Sequence, residues 1–248
     1  MKKFDFDWQP LALVPALALL VLPFIGSGST WVTLTVAGLA MGMIIFIIAS
    51  GLTLVFGLMD VLNFGHGVFI ALGAFVATSV LGAMADYTGS ASLWRNFMAV
   101  LPAMVVAMLV AGAVGLAFER FIVRPVYGNH LKQILITMGG MIIGEELIKV
   151  IWGPLQIPLP LPEGMRGALL LGDAAVEKYR VIAVIVGLLV FGTLLWVLTR
   201  TKIGLLIRAG VQDREMVEAL GYRIRVLFVG VFVVGSALAG LGGVMWGL

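Results

Sequence analysis

The sequence predicts an all-α, polytopic transmembrane helix bundle with about seven spans, and two observations carry this prediction. Of the 248 residues, 61% are hydrophobic and only 12% are charged, and mean hydropathy is +1.13. A soluble domain is about half apolar and about a quarter charged. The apolar residues also fall in runs of about 20 residues, the length that crosses a bilayer core. These properties exclude a soluble enzyme and a disordered chain.

Seven hydrophobic segments are the predicted spans, and we treat residues 1–248 as one transmembrane domain. They comprise residues 11–25, 31–56, 66–84, 97–118, 134–152, 181–199 and 226–246. The first is short and follows Lys2 and Lys3, as in a signal peptide. We predict an uncleaved helix, because Asp5 and Asp7 precede the segment and no small-residue cleavage site follows it.

The distribution of Lys and Arg predicts a cytoplasmic N-terminus, because cytoplasmic loops carry the excess of basic residues. With that orientation, eleven basic residues lie on the inner side and four on the outer side. The inner residues are Lys2, Lys3, Arg120, Arg124, Lys132, Arg200, Lys202, Arg208, Arg214, Arg223 and Arg225, and the outer ones are Arg95, Arg166, Lys178 and Arg180.

The sequence lacks the residues that several kinds of metal-binding, nucleotide-binding and catalytic site require. The chain has no cysteine and two histidines, His66 and His130, which are too far apart in sequence to suggest a metal site. Neither a G-x-x-x-x-G-K-[ST] phosphate loop nor an H-E-x-x-H motif is present. We therefore expect a chain that is not itself an enzyme and that needs no cofactor or metal.

Small residues spaced four apart recur within the spans, at Gly38/Gly42, Gly140/Gly144, Ser236/Gly240 and Gly243/Gly247. Small side chains let helices approach closely in lipid, where no hydrophobic force drives helices together. The spacing indicates a tightly packed bundle rather than a set of separate anchors.

Residues 57–67 interrupt the hydrophobic pattern with three glycines, Asp60, Asn63 and His66, and with no Lys or Arg. A backbone break near membrane depth survives only when protein buries it or it lines a wet cavity. Asn63 can cap a helix that begins near Gly65, whose N–H groups would then face an anionic solute. The alternative is an ordinary tight turn, with His66 bonded to a backbone carbonyl. On the first interpretation Asn63, Gly65, His66 and Gly67 lie on a substrate path.

The fifth span contains Glu145, Glu146 and Lys149. An ionisable residue at the centre of a membrane helix costs roughly 2.5–3.5 kcal/mol. Glu145 precedes Lys149 by four residues, the favourable order for a helical pair, so we predict a structural ion pair between them. Glu146 points about 100° away around the helix and has no predicted partner. We therefore expect Glu146 to face a wet interior, as a further path residue.

The inner loop at about 200–225 contains a predicted short helix from Gln212 to Gly221. Asp213 is its expected N-cap and Gly221 its C-terminal stop, while Glu215 lies in the first turn, where the helix dipole favours a carboxylate. So short a helix is marginal alone in water and needs a surface to pack on. Its predicted apolar face is formed by Met216, Val217 and Leu220.

The outer loop of residues 153–178 contains prolines at 154, 158, 160 and 162. This spacing favours an extended, fairly stiff segment. Such a loop either docks a partner outside the membrane or caps the helix bundle, and we favour the cap.

Three groups of sequence stretches, taken in order, resemble one protein family. They are GLTLVFGLMDVLNFGHG at 51–67 with FIALGAF at 69–75; ERFIVRP at 119–125 with ITMG at 136–139 and IWGP at 151–154; and TKIG at 201–204 with IRAGVQD at 207–213, LG at 220–221 and ALAGLGG at 237–243. From about residue 34 onward the chain resembles the integral-membrane permease subunits of branched-chain amino acid ABC importers.

The resemblance implies an importer of branched-chain or related amino acids in the bacterial inner membrane. It implies ABC ATPase subunits, a second homologous permease and a periplasmic substrate-binding protein as partners, with lipid around the bundle and no nucleic acid. The segment from Arg208 to Gly221 is placed like the coupling helix that docks on the ATPase, and the 57–67 interruption would lie beside the translocation path. Relatives usually continue after the region matching 235–247, so we expect a C-terminally truncated chain.

Three other functions stay open. The same family handles urea and short amides, and the two acids at Glu145 and Glu146 leave the solute undecided. A proton-coupled secondary transporter would use Glu146 and His66 as coupling groups. A membrane scaffold without transport activity would show no solute dependence.

Overall fold

Ten α-helices and one β-hairpin form the part of the chain that the computed structural model describes, residues 9–155 and 157–248. Lys2 and Lys3 of the orientation count, and Asp5 and Asp7 of the leader argument, lie outside these residues. The helices are α1 (Gln9–Val21), α2 (Gly28–Met59), α3 (His66–Ala83), α4 (Ala85–Thr88), α5 (Leu93–Phe118), α6 (His130–Trp152), α7 (Lys178–Arg200), α8 (Lys202–Gln212), α9 (Arg214–Ala219) and α10 (Ile224–Gly247).

Short irregular turns and two strands join these helices. A π-helical turn (Glu119–Val123) and a 3-10 turn (Arg124–Val126) extend α5. Two further 3-10 turns lie at Leu22–Phe24 and Glu163–Met165. Strands β1 (Ala168–Leu171) and β2 (Ala174–Glu177) pair antiparallel.

Each of the seven predicted spans falls on one helix, which confirms the polytopic helical fold. Among the described residues, five helices are long and apolar enough to cross a membrane: α2, α3, α5 with its extension to Val126, α7 and α10. Helix α6 has the length, at 23 residues, but carries Lys132, Glu145, Glu146 and Lys149. Helix α1 has 13 residues, roughly 20 Å at 1.5 Å per residue, which is shorter than the bilayer core.

Helix α10 is the centre of the bundle and packs on α2, α3 and α5. Phe232, Ala239, Val244 and Met245 of α10 are completely buried. Backbone approaches backbone along this helix, because a Cβ on Gly51 would overlap the carbonyl of Gly235. Glycine is therefore needed where α10 crosses α2.

The same close packing recurs at other small residues. A Cβ on Gly73 would overlap Gly240, and one on Gly243 would overlap the carbonyl of Ile70. Ser236 occupies the space beside Gly115. The predicted small-residue spacing thus marks real helix contacts on α6 and α10, whereas Gly38 and Gly42 face open space.

Helix α6 packs through a single stripe. Gln133, Thr137, Gly140, Gly144 and Ile148 follow one another at helical spacing on the side that faces the bundle. Gly140 lies against Phe118 and Gly144 against Val68. At the end of α6 the indole of Trp152 donates to the Ser79 hydroxyl, at 2.8 Å.

The hairpin and the proline-containing segment cover one end of the bundle, which we call the hairpin end. The prediction of an entirely helical chain missed β1 and β2, whose turn is Gly172–Asp173, with Gly172 at φ +64°. Met165 is buried in the main core, and Gly164 donates to the Asn96 side chain at 2.7 Å. The segment therefore caps the bundle, as favoured from the sequence.

Gly73→Ala tests the close packing of α10 on α3. We expect the unfolding temperature of the detergent-solubilised protein to fall, because the methyl group overlaps backbone atoms of Gly240 and overpacking costs about 1–3 kcal/mol. Gly82→Ala in the same helix meets open space and is the control, with unchanged or slightly raised stability. Equal unfolding temperatures for both variants would contradict the packing described here.

Candidate functional site

The candidate site is built on a non-helical segment, residues 60–65, which we call the break. Helix α2 ends at Met59, and the Asp60 amide closes its last turn by donating to the Phe56 carbonyl at 3.0 Å. Asp60 has a left-handed backbone, at φ 55°, and no other non-glycine residue of the described chain has a positive φ. Left-handed backbone is unusual for a residue with a Cβ, although aspartate tolerates it. The break is therefore a defined turn out of α2.

Two buried side chains of α6 satisfy the backbone of the break. The Leu62 amide donates to Gln133 Oε1 and the Phe64 amide donates to Thr137 Oγ1, both at 3.2 Å. Gln133 is 1% exposed and Thr137 is fully buried. An unpaired buried backbone N–H costs about 1–3 kcal/mol, so α6 makes this irregular backbone tolerable inside the bundle.

Asn63 shapes the turn into α3 but does not cap that helix. Its Oδ1 accepts from the Gly65 amide at 3.0 Å, two residues on, and the N-cap of α3 is Gly65 without a side-chain cap. The predicted Asn63 cap is therefore wrong, because the side chain closes an Asx turn instead. Asn63 is 5% exposed, and its Nδ2 has no hydrogen-bond partner.

Backbone N–H groups at the start of α3 form hydrogen bonds within the turn itself. The His66 amide donates to the Asn63 carbonyl at 3.4 Å and the Val68 amide to the Gly65 carbonyl at 3.1 Å. The amides of Gly65, His66 and Val68 are thus hydrogen-bonded within the turn and are not free to bind an anionic solute. Gly67 is exposed.

His66 is buried, and its ring bonds to the backbone of α2. Nε2 lies 3.2 Å from the Ile48 carbonyl oxygen, which can only accept, so Nε2 carries the proton. The ring packs edge-on to Phe69, with centroids 6.4 Å apart. The alternative interpretation of the sequence, a backbone carbonyl for His66, holds for this nitrogen, while Nδ1 has no partner.

Aromatic rings place the break inside the bundle. Gly65 abuts the ring of Phe118, which stacks on Phe232 with centroids 6.3 Å apart. Phe232 is eight residues into α10, about 12 Å along the helix. Val61, Asn63 and Gly65 are thus surrounded by protein, where irregular backbone is tolerated, whereas Asp60 and Phe64 are exposed.

A cavity of about 280 Å³ joins the break to the loop that carries α8. Its lining includes Asp60 and Gln133 at the break and Gly210 and Val211 of α8. We call this side of the molecule the break end. The basic segments predicted to lie on the inner side, around 120–132 and 200–225, adjoin it.

Glu119 is a buried acid near the break. It begins the stretch ERFIVRP at 119–125, but the sequence alone indicates no role for it. It is 1% exposed, and its Oε1 accepts from the Tyr127 hydroxyl at 2.5 Å. Tyr127 lines the cavity beside Asp60. Glu119 therefore positions the turn between α5 and α6. The signal in the sequence that could have indicated this role is a charged residue at the end of a hydrophobic span.

The structure corrects the predicted ion pair in α6. Lys149 Nζ lies 2.7 Å from Glu146 Oε1, so Lys149 bonds to Glu146 instead of Glu145. Positions three and four apart are both neighbours on a helix, and the side-chain geometry here favours the shorter spacing. All three residues are exposed on α6, on the side away from the break. The expectation that Glu146 faces an interior without a partner is therefore wrong for this chain.

The predicted inner-loop helix is present as α9. The Asp213 side chain accepts from the Met216 amide at 2.9 Å, and Gly221 has φ +87°, which confirms the N-cap and the stop. Gln212 ends the separate helix α8. The predicted single apolar face is wrong: Val217 is 1% exposed and faces the core, whereas Met216 and Leu220 are 53% and 68% exposed.

Comparison with known proteins places these features in a family context. The family described as branched-chain amino acid transport system, permease component, matches residues 34–248. The chain is 28% identical to the high-affinity branched-chain amino acid transport system permease protein BraD of Pseudomonas aeruginosa, over 86% of this chain and 69% of the relative. It is 27% identical to the permease protein LivH of the corresponding Escherichia coli system, over 85% and 68%. No solved structure matches significantly.

Thr137→Val tests whether α6 holds the break. The substitution keeps the shape of the side chain but removes the oxygen that accepts from the Phe64 amide, and the lost bond is worth about 1–3 kcal/mol. We expect amide hydrogen exchange across residues 60–66 to accelerate by about tenfold or more, measured by mass spectrometry in detergent. Thr137→Ser keeps the hydroxyl and should preserve the protection. Unchanged exchange in Thr137→Val would show that the break does not depend on this bond.

Proposed function

Because the chain belongs to the family of branched-chain amino acid transport system permease components, we propose that it is the membrane subunit of an ABC importer for branched-chain or related amino acids. The chain is a membrane transport protein rather than an enzyme. In this proposal, ATP is hydrolysed on partner ATPase subunits, a periplasmic protein delivers the solute, and a second homologous permease completes the pore. The break end faces the cytoplasm of the inner membrane, as does the N-terminus.

The observation that carries the proposal is helix α9 at the break end. A helix of six residues is too short to be stable alone, and α9 combines a side-chain cap with one buried anchor, Val217. Its neighbours Met216 and Leu220, four residues apart, lie side by side on the exposed surface. Met216 on α9 and Leu220 at its C-terminal cap are exposed apolar side chains next to one buried anchor. Such a surface suits docking into a groove of an ATPase, which supports the coupling role of residues 212–221.

The break supplies the proposed route to the solute path. Asn63 and His66 are buried there with one unpartnered nitrogen each, and Gly65 and Gly67 keep the adjoining backbone free of side chains. The cavity beside the break reaches α8, which α9 follows after a single residue. A displacement of the loop by the ATPase can therefore act directly on the break.

The structure gives less support to a proton-coupled secondary transporter. That function needs Glu146 and His66 on one pathway, but Glu146 bonds to Lys149 on the outward face of α6 and His66 is buried against α2. Urea or a short amide remains the alternative solute within the proposed function.

Purification of the native membrane complex tests the proposal. We expect an ATPase, a second permease and a periplasmic binding protein to co-purify, and ligand screening of that binding protein then separates amino acids from urea and amides. A chain that transports alone, without an ATPase and only under a proton gradient, would contradict the proposal.

The double variant Glu215→Arg with Leu220→Asp tests the coupling helix. We expect membrane levels of the chain to stay normal while ATPase co-purification and solute uptake fall about tenfold or more. The arginine replaces the carboxylate that the helix dipole favours, and the aspartate replaces an exposed apolar contact. Leu170→Asp, on the similarly exposed surface of β1 at the opposite end, should retain the ATPase. Normal uptake by the double variant would remove α9 from the coupling role.

His66→Ala tests the break as part of the transport path. We expect uptake to fall about tenfold, because the variant loses the hydrogen bond that joins the start of α3 to α2 beside the proposed path. Expression and membrane insertion should stay near wild type, because one such bond contributes only about 1 kcal/mol to stability. Uptake assays and membrane immunoblots give the two readouts. If uptake and expression fall together, His66 is a packing residue.

A further inference from the structure

The outward face of α6 differs from the exposed surface of the long helix α7. It combines Ile142, with 57% exposure, with the exposed charged residues Glu145, Glu146 and Lys149. Helix α7 is exposed to a similar extent at Leu188 and is uncharged between its terminal turns. The apolar surface of α7 suits lipid, whereas the surface of α6 does not.

The charged turn of α6 lies at membrane depth. Gly144 packs against Val68 in the first turn of α3, and Trp152 bonds to Ser79 near the other end of α3. The two helices thus run side by side, and Glu146 lies six residues, about 9 Å, inside the end of α6. Helix α3 is itself long and apolar enough to cross the membrane. Residues 145–149 are therefore beside hydrocarbon unless another molecule covers them.

Contact with lipid is unfavourable for the charged side chains of this turn. Ionisable side chains within membrane helices almost always face a bundle interior, a wet cavity or a partner. The Glu146–Lys149 contact neutralises one acid, but the three side chains still sum to one negative charge. Within this chain, the packed stripe of α6 faces the opposite way.

We propose that this face of α6, Ile142 with Glu145, Glu146 and Lys149, is the interface with the second permease subunit. The facing helix of that subunit is apolar and presents a cation or a hydrogen-bond donor to Glu145. A second copy of this chain fits poorly, because a two-fold axis would set four carboxylates against two ammonium groups. The inference rests on the proposed function, which supplies a different permease as the partner.

Photo-crosslinking in the native membrane tests the interface. A benzophenone amino acid replaces Ile142 on α6 or, as the matched control, Leu188 on α7, and adducts are identified by mass after purification of the complex. We expect position 142 to yield an adduct with the homologous permease and position 188 to yield none with protein.

The outcomes separate this inference from the proposed function. Suppose that the ATPase and second permease co-purify, but that only position 188, or neither position, yields an adduct with that permease. The proposed interface is then wrong, and the importer function stands. An adduct between position 142 and a second copy of this chain also overturns it. If neither partner co-purifies and position 142 meets only lipid, both proposals fail.

Charge variants at Glu145 give an independent readout. We expect Glu145→Lys to reduce recovery of the second permease by about tenfold or more, at equal membrane levels of this chain, because it reverses the charge offered to the partner. Glu145→Gln keeps a hydrogen-bond acceptor and should stay within about twofold of wild type. Full recovery with Glu145→Lys would overturn the assigned partner chemistry.

Discussion

The rule that backbone polar groups must be satisfied inside a membrane governs this molecule. Most of the chain obeys it by forming helices, whose hydrogen bonds are internal to each segment. The break between α2 and α3 obeys it through Gln133 and Thr137, which accept from amides that no helix satisfies. Helix α6 is held in turn by this contact and by small residues at Gly140 and Gly144. The position of α6, and with it the direction of its charged turn, therefore follows from the need to support the break.

The second dependence is on α10. Its glycines let α2, α3 and α5 approach the α10 backbone closely, and Phe232 of α10 stacks on Phe118, the ring that lies beside Gly65. In lipid such packing replaces the hydrophobic force that holds soluble helices together. The break end is thus set by one central helix. Helix α7 lies at the edge and buries only Ala183 and Gly187, and residues 12–21 of α1 are mostly exposed.

The sequence was sufficient to predict the helical spans and the ends of α9, because hydropathy and capping are local properties. Asp213 and Gly221 act within a few residues of their own position. The directions of Met216 and Val217 depend on which side of α9 meets the core, and spacing alone cannot determine that. The choice of Glu146 rather than Glu145 for Lys149 depends on side-chain geometry at the surface, which spacing alone also cannot determine.

Two other features needed different signals. The hairpin was hidden inside a proline-containing loop, although the Gly172–Asp173 pair between two short apolar runs is a recognisable turn. The role of Thr137 could not be predicted, because a hydroxyl on a hydrophobic helix usually bonds to its own preceding turn. Thr137 does so as well, with the Gln133 carbonyl at 2.7 Å, and it also reaches the break.

The glycine contacts of α10 also affect how the bundle can move. Interlocked side chains resist sliding, since each must leave its notch before the helix can advance. Where Gly235 meets Gly51 and Gly240 meets Gly73, main chain lies directly against main chain. A shear of α10 along its neighbours meets fewer such notches there than it would along an interface of leucines. Side chains still interlock elsewhere on α10, where Ser236 fills the space beside Gly115 and Ile48 fills the space beside Gly242. The backbone contacts therefore ease only small shifts of α10, and these side chains limit larger ones.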